Sequence, residues 1–215
     1  MLKNSDRAFF TVIDGIDGCG KTTVGQFLIR FFKERASKVI LTREPGGSSF
    51  FTPIRQLMLK NDTNIELLTE TLLFFADRYE HIKKIIEPSL NAGINVVCDR
   101  FIASTYAYQC FGGGIDIKLV DLLRNYVVSI KPNLTIILDV DIHIAIERLK
   151  IKYASKALNH DETRYEKQGW NFYEKVKEGF LWYAKTFENV FVVNANRDID
   201  TVFTDVRNCI EKYLK

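Results

Sequence analysis

Eight consecutive residues, Gly15-Ile16-Asp17-Gly18-Cys19-Gly20-Lys21-Thr22, follow the pattern G-x-x-x-x-G-K-[ST], and each residue type in it has a chemical use. A polyphosphate needs many N–H donors at close range, and glycines let a backbone wrap around it without a Cβ in the way. The loop amides and the positive end of a following helix then face the anion. Lys21 adds a mobile cation for the outer phosphates, and Thr22, with Thr23 beside it, offers a hydroxyl to Mg²⁺. The flanks fit this use. Phe9–Ile13 is a β-rich apolar run of the kind buried in a parallel sheet. After the loop, Val24, Phe27, Leu28 and Phe31 recur at helical spacing. Strand, glycine loop and helix together mark Gly15–Thr23 as the seat of a nucleoside triphosphate.

More charged groups stand where other apolar runs end. Val39–Thr42 reads as a strand, and Arg43 opens the glycine-proline turn after it. Ligands bind at the carboxyl edge of open α/β sheets, so Arg43 is either a ligand-facing cation or a solvated loop residue. Gly93–Cys98 is a further strand with Asp99-Arg100 directly behind it. The acid suits the metal side of a phosphate site, and the guanidinium suits a phosphate clamp. Leu134–Leu138 ends at Asp139, which competes with Asp99 for magnesium; Arg100 at its side favours Asp99. Phe74 and Arg78 lie one helical turn apart on one face. Either they stack on a base and donate to its edge, or Phe74 is core and Arg78 pairs with Asp77 or Glu80 at the surface.

Lys21, Arg43, Arg78, Arg100, Arg148 and Arg164 are more cation than one triphosphate with Mg²⁺ requires. A second phosphorylated ligand is the economical explanation. If it is a nucleoside monophosphate, its phosphate is largely dianionic at neutral pH, the second pKa being about 6. No general base is then needed, and His81, His143 and His160 read as surface or packing residues.

The elements that must hold these groups alternate regularly. Five apolar strands, the last at Val190–Val193, are interleaved with helices, which predicts an α/β, doubly wound three-layer sandwich of the P-loop NTPase type. Its five-stranded parallel sheet carries helices on both faces. Helices are expected over Ile54–Lys60, from near Ile65 (capped by Thr63 or Asn64) through a core stripe of Leu67, Leu68, Leu72, Phe74, Phe75, Ile82, Ile85 and Ile86, and over Phe101–Gln109. Others run from an Asp116 cap to Val128, over Ile142–Lys152, over Asn171–Phe187 and over Ile199–Tyr213. Gly112-Gly113-Gly114 reads as a hinge or loop, and Ala195-Asn196-Arg197 is placed to border an adenine. The polar segment at about 153–170 is either a solvated linker or a closing lid.

Residues 1–215 are of a length for one domain, with 47% hydrophobic and 27% charged residues. A net charge of +3 is too small to argue for nucleic acid. Cys19, Cys98, Cys110 and Cys209 are scattered with no C-x-x-C pair, the polar Met1–Arg7 carries no signal-peptide pattern, and no apolar run approaches a membrane span. These features point to a cytoplasmic protein without membrane partners.

Several blocks then share one likeness. Thr42-Arg43-Glu44-Pro45-Gly46-Gly47, Phe74-Phe75-Ala76-Asp77-Arg78, Asp99-Arg100-Phe101 with Ser104-Thr105 and Tyr108-Gln109, and Lys131-Pro132-Asn133-Leu134 with Leu138-Asp139-Val140 resemble the thymidylate kinase family in residues and joint spacing. The resemblance implies ATP- and Mg²⁺-dependent phosphorylation of dTMP to dTDP by a homodimer. It also implies roles: Asp17 on the acceptor's sugar 3′-hydroxyl, Arg43 and Arg100 on its phosphate, Phe74 stacked on thymine and Arg78 on the base carbonyl. Thr105 would face the ring edge, Ser104 would join the dTMP contacts, Tyr108 would crowd the 2′ position with Gln109 nearby, and Arg148 would border ATP. Thr22 and Asp99 would serve the metal. Some family members carry a catalytic arginine in the phosphate loop where Gly18 stands here. The chain therefore resembles the bacterial type with the arginine in the lid, and Arg164 becomes the candidate beside catalytic Lys21, Arg100 and Asp17, with Lys156 in reserve. Thr163 stands where the family often has aspartate, and Phe101 where it usually has tyrosine or histidine.

Three rivals frame this expectation. A deoxynucleoside kinase would need a carboxylate base for a neutral 5′-hydroxyl, a part open to Glu44. A guanine-nucleotide switch lacks its Asn-Lys-x-Asp sequence in this chain. A non-catalytic interaction protein has no use for Lys21, Thr22 and Asp99 together.

Overall fold

The computed structural model describes residues 8–60, 64–154 and 165–214. In chain order its elements are β1 (Phe10–Asp14), α1 (Lys21–Glu34), β2 (Val39–Arg43), α2 (Thr52–Leu59), α3 (Leu67–His81), α4 (Glu87–Asn91) and β3 (Asn95–Asp99). These are followed by α5 (Ile102–Thr105), α6 (Ile117–Val127), β4 (Leu134–Asp139), α7 (Ile142–Ala154), α8 (Trp170–Thr186), β5 (Val190–Asn194) and α9 (Ile199–Glu211). Two π-helical turns, Ile82–Ile86 and Tyr106–Gly112, join α3 to α4 and extend α5.

The five strands form one sheet in the order β2-β3-β1-β4-β5, every pair parallel. β1 lies in the middle, buried along its whole length, and β3 and β4 flank it with nearly continuous buried runs. This is why those three stretches are apolar on both faces rather than alternating. Parallel strands need crossovers, and the helices supply them on both sides. α1 turns Val24, Phe27, Leu28, Phe31 and Phe32 inward, and Phe27 stacks on Phe203 of α9 at 4.3 Å. Asp116 caps α6 as expected, its side chain accepting from the Lys118 amide at 2.9 Å. The carboxyl ends of β1 to β4 therefore share one edge, which carries the phosphate loop, Arg43, Asp99-Arg100 and Asp139.

One expectation for α3 changes. Leu68 and Leu72 belong not to a core stripe but to the exposed side of α3, because the inward side is largely polar: Glu70, Thr71, Asp77, Arg78 and His81 are buried there. A hydropathy pattern assigns the apolar side to the core and cannot see a buried polar network. Gly113 and Gly114 open the loop before α6, as the hinge-or-loop reading allows, and Gly112 and Gly113 are also packing positions. A Cβ on Gly112 would come within 2.6 Å of the Phe172 ring, and one on Gly113 within 2.7 Å of Leu67. Arg197 pairs with Asp205, and the Ala195 carbonyl at the head of the same turn accepts from Arg148 at 3.1 Å. Thr63, Lys156, His160 and Arg164 lie outside the described residues.

Candidate active site

The phosphate loop is shaped by its glycines. Gly15, Gly18 and Gly20 have φ of 140°, 81° and 104°, conformations that a side chain would strain. At Gly18 the restriction is also spatial, since a Cβ would lie 2.3 Å from the Ala145 carbonyl of α7. Gly20 is the N-cap of α1 and has no side chain with which to cap it, so the first amides of that helix remain available to an anion. Lys21 Nζ bridges the loop, donating to the carbonyls of Gly15 at 3.0 Å and Ile16 at 2.8 Å.

At the end of β3, Arg100 adopts φ 72°, unusual for a residue with a side chain. The twist carries its guanidinium onto a set of oxygens. It donates to Asp17 Oδ1 at 2.5 Å, Ser104 Oγ at 2.9 Å and the Tyr108 hydroxyl at 3.2 Å. Tyr108 in turn donates to Asp17 Oδ2 at 3.0 Å. Burial works against the Asp17 charge, but Arg100 and Lys21 outweigh it and hold the carboxyl down at about 2. Burial likewise opposes the charge on Arg100, yet Asp17, Tyr108 and Asp14 keep it firmly protonated. Loop and clamp are therefore one electrostatic unit.

Asp14, at the end of β1, joins that unit from beneath. Its carboxylate accepts from the Gly15 amide at 3.0 Å, the Phe101 amide at 3.2 Å, and the Ser104 amide and hydroxyl at 3.1 and 2.7 Å. It thereby caps the helix that bears Ser104 and Tyr108. Burial raises its pKa, against the pull of Arg100. The sequence reading passed over Asp14, although an acid closing an apolar strand is the signal that singled out Asp99.

A second network lies under the turn after β2. Arg78 is 2% exposed and donates through Nε to Glu44 Oε2 at 2.7 Å, through Nη1 to Thr105 Oγ1 at 3.0 Å and through Nη2 to the Phe101 carbonyl at 3.1 Å. Of the two alternatives, the surface pairing with Asp77 or Glu80 is not what forms. Glu44 Oε1 meets His81 Nδ1 at 3.0 Å, and His81 Nε2 meets Thr42 Oγ1 at 2.7 Å. His81 is thus a packing residue rather than a surface one, and both oxygens of Glu44 are engaged.

These groups open onto one cleft of about 570 Å³. From the loop side Asp17, Gly18, Gly20, Lys21, Thr22 and Thr23 line it, with Arg148 of the neighbouring α7. From the other side come Arg43, Phe74, Arg78, Asp99, Arg100, Ser104, Thr105, Tyr108 and Gln109. Gly15, Ile16 and Cys19 form the inner side of the loop and are not in the lining. Arg43 is exposed, with no carboxylate paired to it among the described residues. Thr22 Oγ1 stands 3.5 Å from Asp99 Oδ2, a pair of hard oxygen donors of the kind Mg²⁺ takes. Asp139 is held instead by Lys177 at 2.9 Å. Arg55, Lys152 and Tyr165 also line the cleft; only their place in the fold brings them there, and no motif marks them.

The family model described as thymidylate kinase matches residues 13–206. A thymidylate kinase of Wolbachia pipientis subsp. Culex pipiens (strain wPip) is 39% identical over 211 residues, covering 96% of this chain and 97% of that one. One from Thermosipho africanus (strain TCF52B) is 36% identical, covering 96% and 99%. The crystal structure of thymidylate kinase from Ehrlichia chaffeensis superposes with a TM-score of 0.77 at 33% identity, covering 95% of this chain and 99% of that one. By model, sequence and fold alike, this chain belongs to the thymidylate kinase family.

Proposed function

We propose that the protein transfers the γ-phosphoryl group of ATP to dTMP, releasing dTDP and ADP, as a single-domain enzyme of dTTP synthesis. One observation carries this reading: the phosphate loop and the arginines Arg43, Arg78 and Arg100 open onto the same cleft. Two anionic nucleotides then have one chamber in which to meet. An oxygen of the acceptor phosphate attacks the γ-phosphorus, the bond to the β-phosphate oxygen breaks, and ADP leaves with that electron pair. The acceptor oxygen carries no proton to remove, so catalysis is positioning and charge neutralisation.

In this reading Lys21 and the loop amides hold the ATP phosphates, with Arg148 along the nucleotide. Arg43 and Arg100 hold the acceptor phosphate, with Ser104 supporting Arg100, Asp17 its 3′-hydroxyl, Phe74 the face of thymine, and Arg78, Thr105 and Gln109 its edge. Tyr108 crowds the 2′ position. Thr22 and Asp99 would hold Mg²⁺, which when bound neutralises charge on the phosphate oxygens. The catalytic arginine is Arg164. What supports this choice is Gly18, whose positive φ and contact with Ala145 leave no room for a side chain in the loop. A cytoplasmic setting is supported by four free cysteines, three of them buried; among the described residues no helix is long and apolar enough to cross a membrane.

Coupled ADP-release assays with dTMP and with thymidine test the reading. Turnover of dTMP is expected; turnover of thymidine alone would make the protein a nucleoside kinase. Against that outcome stands Glu44, the one carboxylate proposed as its base, whose two oxygens are committed to Arg78 and His81.

A further inference from the structure

We infer that Glu70 and Tyr165 are positioning residues that fix the Gln109 side-chain amide with its oxygen toward the acceptor base. They would thereby set the preference for a pyrimidine that carries a ring N–H. The inference rests on the reading of the cleft as a dTMP site.

Gln109 lies on the π-helical turn and lines the cleft, yet it is almost wholly buried. Its Nε2 donates to Glu70 Oε1 at 2.9 Å and to the Tyr165 hydroxyl at 3.0 Å. The Tyr165 hydroxyl donates in turn to the same Glu70 oxygen. An amide is nearly symmetric in shape, so its orientation is normally decided by its partners. Here the partner leaves no choice, because a carboxylate oxygen can only accept. The NH₂ end must face Glu70, and both its hydrogens are engaged. Oε1 is then the end left for a ligand, and among the described residues nothing donates to it.

The arrangement is stiff. Glu70 is 1% exposed on α3, two turns before Arg78. The Tyr165 ring stands edge-on to Tyr108 at 5.1 Å and stacks on Phe172 at 6.0 Å. The base edge thus meets a donor, Arg78, beside an acceptor, Gln109 Oε1. Thymine and uracil present a carbonyl and a ring N–H, which match. Cytosine presents an amino group and a bare ring nitrogen, so both contacts are wrong. Unpaired buried polar groups make such a mismatch discriminating.

Glu70→Gln tests this with little change of volume. Its new NH₂ end can donate to Gln109 Oε1, so the Gln109 amide is free to turn over. The ratio of kcat/KM for dTMP over dCMP should fall about 10-fold or more, mainly through a higher KM for dTMP, with the KM for ATP unchanged. Tyr165→Phe, which removes only the hydroxyl, should lower the ratio in the same direction by a smaller factor. If both substrates lose activity in proportion and the ratio holds in both variants, the residues are merely structural and the inference is overturned. Calorimetric titration with dTMP and dCMP gives the same ratio for a variant too slow to assay. Failure of the unaltered protein to turn over dTMP would instead overturn the dTMP reading itself.

Discussion

Arg164 and Asp77 show how differently single charges behave in this molecule. A transferring phosphoryl group gathers charge that one extra cation can offset, and loop position 18 cannot supply it. Arg164→Ala should therefore lower kcat by about 10³ while dTMP affinity survives. Steady-state kinetics with both substrates checks this, and an effect confined to KM would make Arg164 a binding residue. Asp77 is buried, its Oδ1 accepts from the Gly46 amide at 2.9 Å, and its Oδ2 has no hydrogen-bond partner among the described residues. Burial, reinforced by nearby Glu44, pushes its pKa from 3.8 up to about 6. A raised pKa means that the native state binds the proton more tightly than the unfolded chain. This contribution to stability is full below about pH 4 and is lost as pH rises through about 6. Asp77→Asn keeps the Gly46 contact without the charge. It should match the parent near pH 4 and exceed it near pH 8, by up to about 2 kcal/mol, or about 4–8 °C in Tm. Thermal melts at the two pH values decide it.

At the scale of elements, the site depends on how closely α8 lies against the π-helical turn that carries Tyr108 and Gln109. Gly179 makes that approach possible. A Cβ there would stand 2.7 Å from Ala107 Cα and 2.9 Å from Phe111, and backbone atoms cannot move aside as a flexible side chain can. Gly179→Ala should destabilise the fold by about 1–3 kcal/mol in denaturant unfolding. It should also raise the KM for dTMP more than that for ATP, because the displaced turn serves the acceptor. Equal effects on the two substrates would show that the turn does not position the acceptor side. Asp14 does related work at the other end of the same helix, tying its first amides to the phosphate loop so that clamp and loop keep register.

Across the whole molecule, the apolar residues on the exposed side of α3 allow a test of the homodimer that the family resemblance implies. Leu68, Leu72 and Tyr79 share the outward side of α3, and Leu122 and Tyr126 project from α6, which packs against it. Exposed apolar residues on two packed helices are the kind a homodimer would bury. Leu72→Glu combined with Tyr126→Glu should convert a dimer to a monomer in light scattering. A dimer that survives both changes would put the interface elsewhere.

Much of this was legible in the chain, because it depends on local order. The phosphate loop, the five strands and the acids and arginines at strand ends are short-range patterns. A parallel sheet buried on both faces leaves an apolar run, and its crossovers force every carboxyl end to one edge. Local order was thus enough for the sheet, the phosphate-loop motif and the family. Which of those groups are neighbours emerges once the chain is folded. Glu44 reaches Arg78 and His81 of α3 from the turn after β2, Gln109, Glu70 and Tyr165 come from three separate segments, and Asp14 reads as one more strand residue until the helix it caps is placed above it. Hydropathy could not distinguish the outward Leu72 from a core leucine, nor find a buried arginine on the inward side. Burial of a polar group is decided by the partner that satisfies it, and that partner lies far away in sequence.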